Sequence, residues 1–190
     1  MRRSRVSSWD SVGHCNDCAG LTVWLTGLSG AGKSTLAAAL SAQLRARGVR
    51  AVVLDGDLLR KGLCAGLGYS REDRLENVAR ISELARSFSD RGYVVLVAVI
   101  APYRDARLLA RSRTERFVEV YVNASLETCL QRDPKGLYRR AIAGEIAHFT
   151  GVSDPYEAPL APEVECRTDR DSVEVCTAKI LQAVMRVRLG

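Results

Sequence analysis

Gly27-Leu28-Ser29-Gly30-Ala31-Gly32-Lys33-Ser34 is a complete G-x-x-x-x-G-K-[ST] pattern, and its flanks give it meaning. Before it, Leu21 to Thr26 is apolar and partly β-branched, the composition of a strand. After it, Lys33 to Arg47 is rich in Ala and Leu, the composition of a helix, and Gly48 stands where a helix-terminating glycine belongs. A glycine-rich turn between strand and helix lets backbone N–H groups surround phosphate oxygens, with the positive end of the helix dipole facing the same anion. Lys33 is then placed to reach the β- and γ-phosphates of ATP, and Ser34 to ligate Mg²⁺. Residues 27–34 together with Thr35 are the expected ATP contacts. The pattern implies nucleotide binding; alone it does not separate a kinase from a GTPase or a motor.

Strands and helices alternate through the rest of the chain. Arg50 to Leu54 reads as a second strand running into Asp55-Gly56-Asp57. Ser70 is placed to cap a helix reaching about Asp90, with Leu75, Val78, Ile81, Leu84, Ala85 and Phe88 on one face. Tyr93 to Ile100 is apolar on both alternating faces, as a central parallel strand should be. Arg104 to Glu115 reads as helix, Phe117 to Val122 as strand and Leu126 to Gln131 as helix. Asp133 to Val152 is polar, basic and punctuated by glycine, with helix near Tyr138 to Ala147, and reads as a mobile lid. A strand near Val164 to Thr168 and a helix with Val173, Ile180, Leu181 and Val184 facing inward complete the chain. The predicted fold is α/β: a nucleotide-binding parallel sheet with helices on both faces and a lid at about 133–152. The expected organisation is a flexible segment over 1–20 and one domain over 21–190.

Composition sets outer limits. The chain has 190 residues, 47% of them hydrophobic and 26% charged, enough apolar material for one substantial core. No apolar run is long enough to span a bilayer, which points to a soluble protein without a membrane partner. The net charge of +6 favours anionic partners, but no nucleic-acid-binding module is recognisable, and a site for two nucleotides needs the same sign of charge. Without an export signal, the six cysteines are not expected to form a disulfide framework. Cys15 and Cys18 form a C-x-x-C pair that is either half of a zinc site or two thiols in a flexible arm. No T-K-x-D-type guanine signature is present, and Ala101-Pro102-Tyr103-Arg104, rather than an aspartate, follows the third strand. A short chain with a basic lid is the pattern of a small kinase, which closes over the γ-phosphate to exclude water.

The acceptor side is marked by charge. Asp55 and Asp57 follow the second strand, and in an open parallel sheet ligands gather beyond the carboxyl ends of the strands. Asp55 is expected to hold Mg²⁺ through water, and Asp57 to take the proton from an attacking hydroxyl. Arg60, Arg71, Arg74, Asn77 and Arg80 follow, with Arg74, Asn77 and Arg80 spaced by threes on one helix. Arg forks suit phosphate and sulfate oxygens, although a solvated charged face paired with Glu72, Asp73 and Glu76 explains Arg80 equally well. Arg104 and Arg107 are placed to face the same cleft. Tyr69 and Phe149, aromatic residues in polar loops, could sandwich a purine.

These stretches resemble the adenylyl-sulfate kinases from about Leu21 to Thr168. The resemblance is carried by residues 24–35, Leu54-Asp55-Gly56-Asp57, Gly66-Leu67-Gly68-Tyr69-Ser70, Asp73-Arg74-Leu75-Glu76-Asn77 and Pro102-Tyr103-Arg104. It continues through residues 132–138, Gly144-Glu145-Ile146, Phe149-Thr150-Gly151 and Pro155-Tyr156-Glu157-Ala158-Pro159. It implies phosphorylation of the ribose 3′-hydroxyl of adenosine 5′-phosphosulfate by ATP, with Lys33, Asp57 and Asp55 catalytic. It further implies that Arg60, Arg74 and Asn77 hold the phosphosulfate and ribose, that Tyr69 and Phe149 clamp the acceptor adenine, and that Arg132 packs on the ATP adenine. Lys135 then lies close to the anions, with Ile100, Ala101, Gly136 and Leu137 as further acceptor contacts. The family is typically homodimeric and, in bacteria, cytoplasmic. No sulfurylase domain is present here, so ATP sulfurylase would be a separate chain. Three positions depart from the family pattern. Ala101 stands where a Ser, often described as phosphorylated, is common, which implies direct transfer. Ala79 stands where Arg is common, removing one anion contact, and Tyr69 replaces the commoner Phe. A kinase with another hydroxyl acceptor, or a non-catalytic nucleotide-binding protein, remain the alternatives.

Overall fold

In the computed structural model, which describes residues 20–189, five parallel strands form one sheet in the order β2-β3-β1-β4-β5. They are β1 (Leu21–Thr26), β2 (Ala51–Asp55), β3 (Val94–Ala98), β4 (Phe117–Asn123) and β5 (Val164–Arg167). Around them run α1 (Lys33–Ala46), α2 (Gly56–Leu59), α3 (Arg71–Ser89), α4 (Arg104–Ser112), α5 (Leu126–Arg132), α6 (Leu137–Ile142) and α7 (Val173–Leu189). The N-terminal segment through residue 19, with the Cys15/Cys18 pair, lies outside the described residues. Among the described residues no helix is long and apolar enough to cross a membrane.

The period-2 alternation of the central strands divides the core into two layers. Leu21, Val23 and Leu25 of β1 and Val94, Leu96 and Ala98 of β3 face α1 and α7. Trp24 and the alternate residues Val95 and Val97 face α3 and α4, against Val78, Ile81 and Ala110. Each such side chain, fully removed from water, contributes roughly 1.5–3 kcal/mol of transfer free energy. From β1 the chain passes first to β2 and then β3 on one side, and later to β4 and β5 on the other. The strand order therefore reverses at β1, which opens a crevice at its carboxyl end.

Some boundaries move. β3 ends at Ala98, so Ile100 and Ala101 leave the sheet and become loop. α2 is an unforeseen turn of helix begun by the Asp55 carboxylate, which accepts from the Asp57 N–H. α4 stops at Ser112 instead of Glu115. α6 ends at Ile142 instead of Ala147, because Gly144 takes a left-handed φ of +78°. On α7, Ile180 and Val184 are buried as expected, whereas Val173 is 37% exposed in the first turn.

Candidate active site

The phosphate loop closes the carboxyl end of β1. Gly27 has φ of +151°, and a Cβ there would lie 2.3 Å from the Val122 carbonyl oxygen, so no larger residue fits. Gly32, at φ +101°, is the left-handed N-cap of α1. Side chains from outside the loop hold its carbonyls: the Tyr138 hydroxyl donates to Ser29 O (3.0 Å) and the Thr168 hydroxyl to Ala31 O (2.7 Å). Both contacts fix the loop, within which the Ala31 N–H turns back to Leu28 O at 3.2 Å.

Lys33 folds back on this loop and donates to the carbonyls of Gly27 (3.0 Å) and Leu28 (2.7 Å). Burial pulls its ammonium down to about 8 from 10.5. The Ser34 hydroxyl donates to Asp55 Oδ2 at 2.6 Å. That hydroxyl and carboxylate are hard oxygen donors at the foot of the phosphate loop, and they suit Mg²⁺, which takes few protein ligands and keeps waters and phosphate oxygens. Among the described residues no group of three His, Cys, Asp or Glu side chains converges on a point, so a metal held entirely by such protein ligands has no place there.

Beyond the loop lies a cavity of about 580 Å³. Among the residues that line it are Ser29, Gly30, Gly32, Lys33, Ser34, Thr35 and Arg132, and also Asp57, Arg60, Tyr69, Arg74, Asn77, Ile100, Ala101, Lys135, Leu137 and Phe149. Gly27, Leu28, Ala31, Asp55 and Gly136 stand behind this lining. Asp55 and Asp57 thus separate by role: Asp55 braces Ser34 and α2, while Asp57 faces the cavity and pairs with Lys135, just before α6.

The acceptor-side arginines also have structural work. Arg60 donates to the carbonyls of Leu67 and Gly68 and lies 4.5 Å over the Tyr69 ring. Arg74, buried, donates to the carbonyls of Tyr69 (2.9 Å) and His148 (2.6 Å), joining the two aromatic loops. Next to it the Asn77 amide oxygen is buried without a protein partner. Buried amides are rarely left unsatisfied, so this atom is a ready acceptor for a ligand hydroxyl. Tyr69 is 48% exposed, whereas Phe149 is 8% exposed and meets Tyr138 edge-on at 5.0 Å. Arg132 reaches Thr168 O (2.6 Å) and holds its planar guanidinium at the opposite end of the cavity.

Arg80 pairs with Glu76, the charged-face reading of that residue, and Arg71, which was expected among the anion-binding groups, pairs with Asp105; neither lines the cavity. Other expectations are corrected. Arg104 and Arg107 do not face this cleft: Arg104 donates to Ala158 O, and Arg107 is buried beneath the Ala101 loop. Ala79 is likewise absent from the lining, and its carbonyl accepts from Arg113. Thr168, Asp171, Val173, Pro134 and Ile146 line the cavity without having been foreseen. The position of Thr168 just past β5 is the signal that could have found it, because loops after parallel strands surround the ligand.

A family model described as adenylylsulphate kinase matches residues 19–167. The chain is 55% identical over 161 residues, 85% of its length and 89% of the relative's, to an adenylyl-sulfate kinase of Microcystis aeruginosa. Among solved structures it is similar to the Mycobacterium tuberculosis APS kinase CysC in complex with AMPPNP and APS. There the TM-score is 0.85 at 44% identity, covering 88% of this chain and 98% of that one. A hexameric APS kinase from Thiobacillus denitrificans is similar at TM-score 0.67 and 33% identity, covering 90% of this chain and 29% of that one.

Proposed function

The chain belongs to the adenylylsulphate kinase family, an ATP-dependent kinase family, and from that premise we propose how its own residues carry out the transfer. The acceptor is adenosine 5′-phosphosulfate. The products are ADP and 3′-phosphoadenosine 5′-phosphosulfate. The observation that carries this reading is one continuous cavity lined by the phosphate loop, the Asp57 carboxylate and an arginine- and aromatic-bearing pocket.

ATP lies with its triphosphate over residues 27–35 and its adenine near Arg132 and Thr168. Lys33 leaves the carbonyls of Gly27 and Leu28 for the phosphates, where its charge offsets the anion. Ser34 and Asp55 would hold Mg²⁺, which would supply positive charge to offset the phosphates. Arg60, Arg74 and Asn77 fix the acceptor's phosphosulfate and ribose, and Tyr69 and Phe149 take its adenine. Asp57 receives the proton of the 3′-hydroxyl as the 3′-oxygen bonds to the γ-phosphorus and the bond to the β,γ-bridging oxygen breaks, releasing ADP. Ala101 has no side-chain hydroxyl to phosphorylate, so transfer is direct and depends on alignment. The Lys135–Asp57 pair opens when the acceptor enters, which frees the carboxylate and leaves the Lys135 ammonium beside the incoming anions.

Asp57→Asn tests the assignment of the base. Removal of a positioned base lowers turnover typically ~10²–10⁴-fold. ATP affinity, measured by calorimetry, should stay within about twofold, since the residue touches the acceptor side. Normal turnover in this variant would remove Asp57 from the mechanism. A cytoplasmic homodimer acting in sulfate assimilation beside a separate ATP sulfurylase belongs to the same proposal, supported by the family resemblance. Light scattering should then give twice the 20.8 kDa chain mass; six times that mass would favour a hexamer instead.

A further inference from the structure

We propose that Arg107, which does not line the cavity, is a positioning residue for the acceptor, acting through the Ile100–Pro102 wall. Arg107 is 3% exposed and lies under that wall, on α4. Its guanidinium joins three segments at once. Nε donates to Glu119 of β4 at 2.8 Å, Nη1 to Ala101 O at 2.7 Å and Nη2 to Glu157 O at 2.6 Å.

The carbonyl it holds belongs to a residue that needs holding. Ala101 has φ of +41°, a left-handed conformation disfavoured for a residue with a Cβ, and such strain persists only where the surroundings impose it. The neighbouring contacts impose it from both sides. The Thr26 hydroxyl donates to Ile100 O at 2.6 Å and meets the Tyr156 hydroxyl at 3.0 Å, while the Glu157 N–H donates to Pro102 O at 2.9 Å. Thr26 ends β1 one residue before the phosphate loop, and Ile100, Ala101 and Pro102 all line the cavity. Arg107 therefore ties the strained wall to the sheet and to the 155–159 segment at the place where acceptor and γ-phosphate must meet. Only a planar fork with several fixed donors can serve the carboxylate and two carbonyls together; a lysine in its place can neutralise Glu119 but cannot reach all three. The ATP-binding loop is fixed independently, by Tyr138 and Thr168.

The test rests on adenylyl sulfate as acceptor, so wild-type turnover with that compound is measured first and separates failure of the functional reading from failure of this inference. Arg107→Lys, confirmed folded by circular dichroism, should raise the acceptor KM about tenfold or more and lower kcat, because small misplacements of a reacting group are costly. The KM for ATP should stay within about twofold. Ala101→Gly placed on top of Arg107→Lys should recover part of the acceptor KM, since glycine takes the left-handed conformation without the Cβ penalty. Should Arg107→Lys fail to fold, Glu119→Gln loosens the same fork and should raise the acceptor KM about threefold with the ATP KM again steady. Equal changes in both KM values, no change in either, or the absence of rescue by glycine would each overturn the proposal.

Discussion

Lys33 is the residue on which binding and charge meet. Burial brings its ammonium to about 8, while in the unfolded chain the group titrates near 10.5. The shift is downward, so the free site disfavours the charged form, and above pH 8 Lys33 is mostly neutral. Triphosphate binding favours the charged form and moves the group back up. Between about pH 8 and 10, ATP binding should therefore take up close to one proton, and affinity should fall as pH rises through that window. Calorimetry at pH 9 in two buffers of different ionisation enthalpy reads the uptake directly. Proton release, or none, would mean that Lys33 does not engage the phosphates. The sequence motif names this lysine and Ser34 at once, because phosphate chemistry dictates both at that spacing. It does not reveal that Lys33 rests on the Gly27 and Leu28 carbonyls, since that depends on how the loop folds without its anion.

α3 shows how an element delivers residues to a site. The Ser70 hydroxyl accepts the Asp73 N–H at 3.1 Å, which caps the helix and fixes where its first turns point. Arg74 and Asn77 lie in those turns, with Val78 and Ile81 buried beneath them. Ser70→Ala should cost about 1 kcal/mol in thermal denaturation. It should also raise the acceptor KM more than the ATP KM, because fraying releases acceptor contacts only; a purely thermal effect would show that Arg74 and Asn77 are held by packing alone. Long periodic elements such as α3 and the central strands were legible because many residues repeat one signal. α2 was not, because four residues carry no period and only the Asp55 cap creates it. The expected helix to Ala147 failed for a related reason: the backbone turn at Gly144 overrides the helix-compatible Ala143, Glu145 and Ala147 around it.

At the scale of the whole molecule, the strand order brings together groups far apart in the chain. The phosphate loop, α2, the start of α3, the Ala101 loop, the lid and Thr168 all meet at the carboxyl ends of the strands. Alternating patterning made the parallel sheet legible, and the placement rule for open sheets then put Asp57 and the phosphate loop at one edge. The side-chain orientations of arginines were not legible in this way. Arg74, Arg80 and Arg107 look alike in sequence, yet one lines the cavity, one is an exposed helix pair, and one is buried beneath a strained loop. The central claim is that this cavity transfers phosphate directly to adenylyl sulfate without a hydroxyl at position 101. Measuring ADP release from ATP and Mg²⁺, with and without adenylyl sulfate, and analysing the product for a new 3′-phosphate tests it most directly. Acceptor-dependent ADP formation matched one-for-one by 3′-phosphorylated product is the expected result; bound ATP with no acceptor-dependent turnover would contradict it.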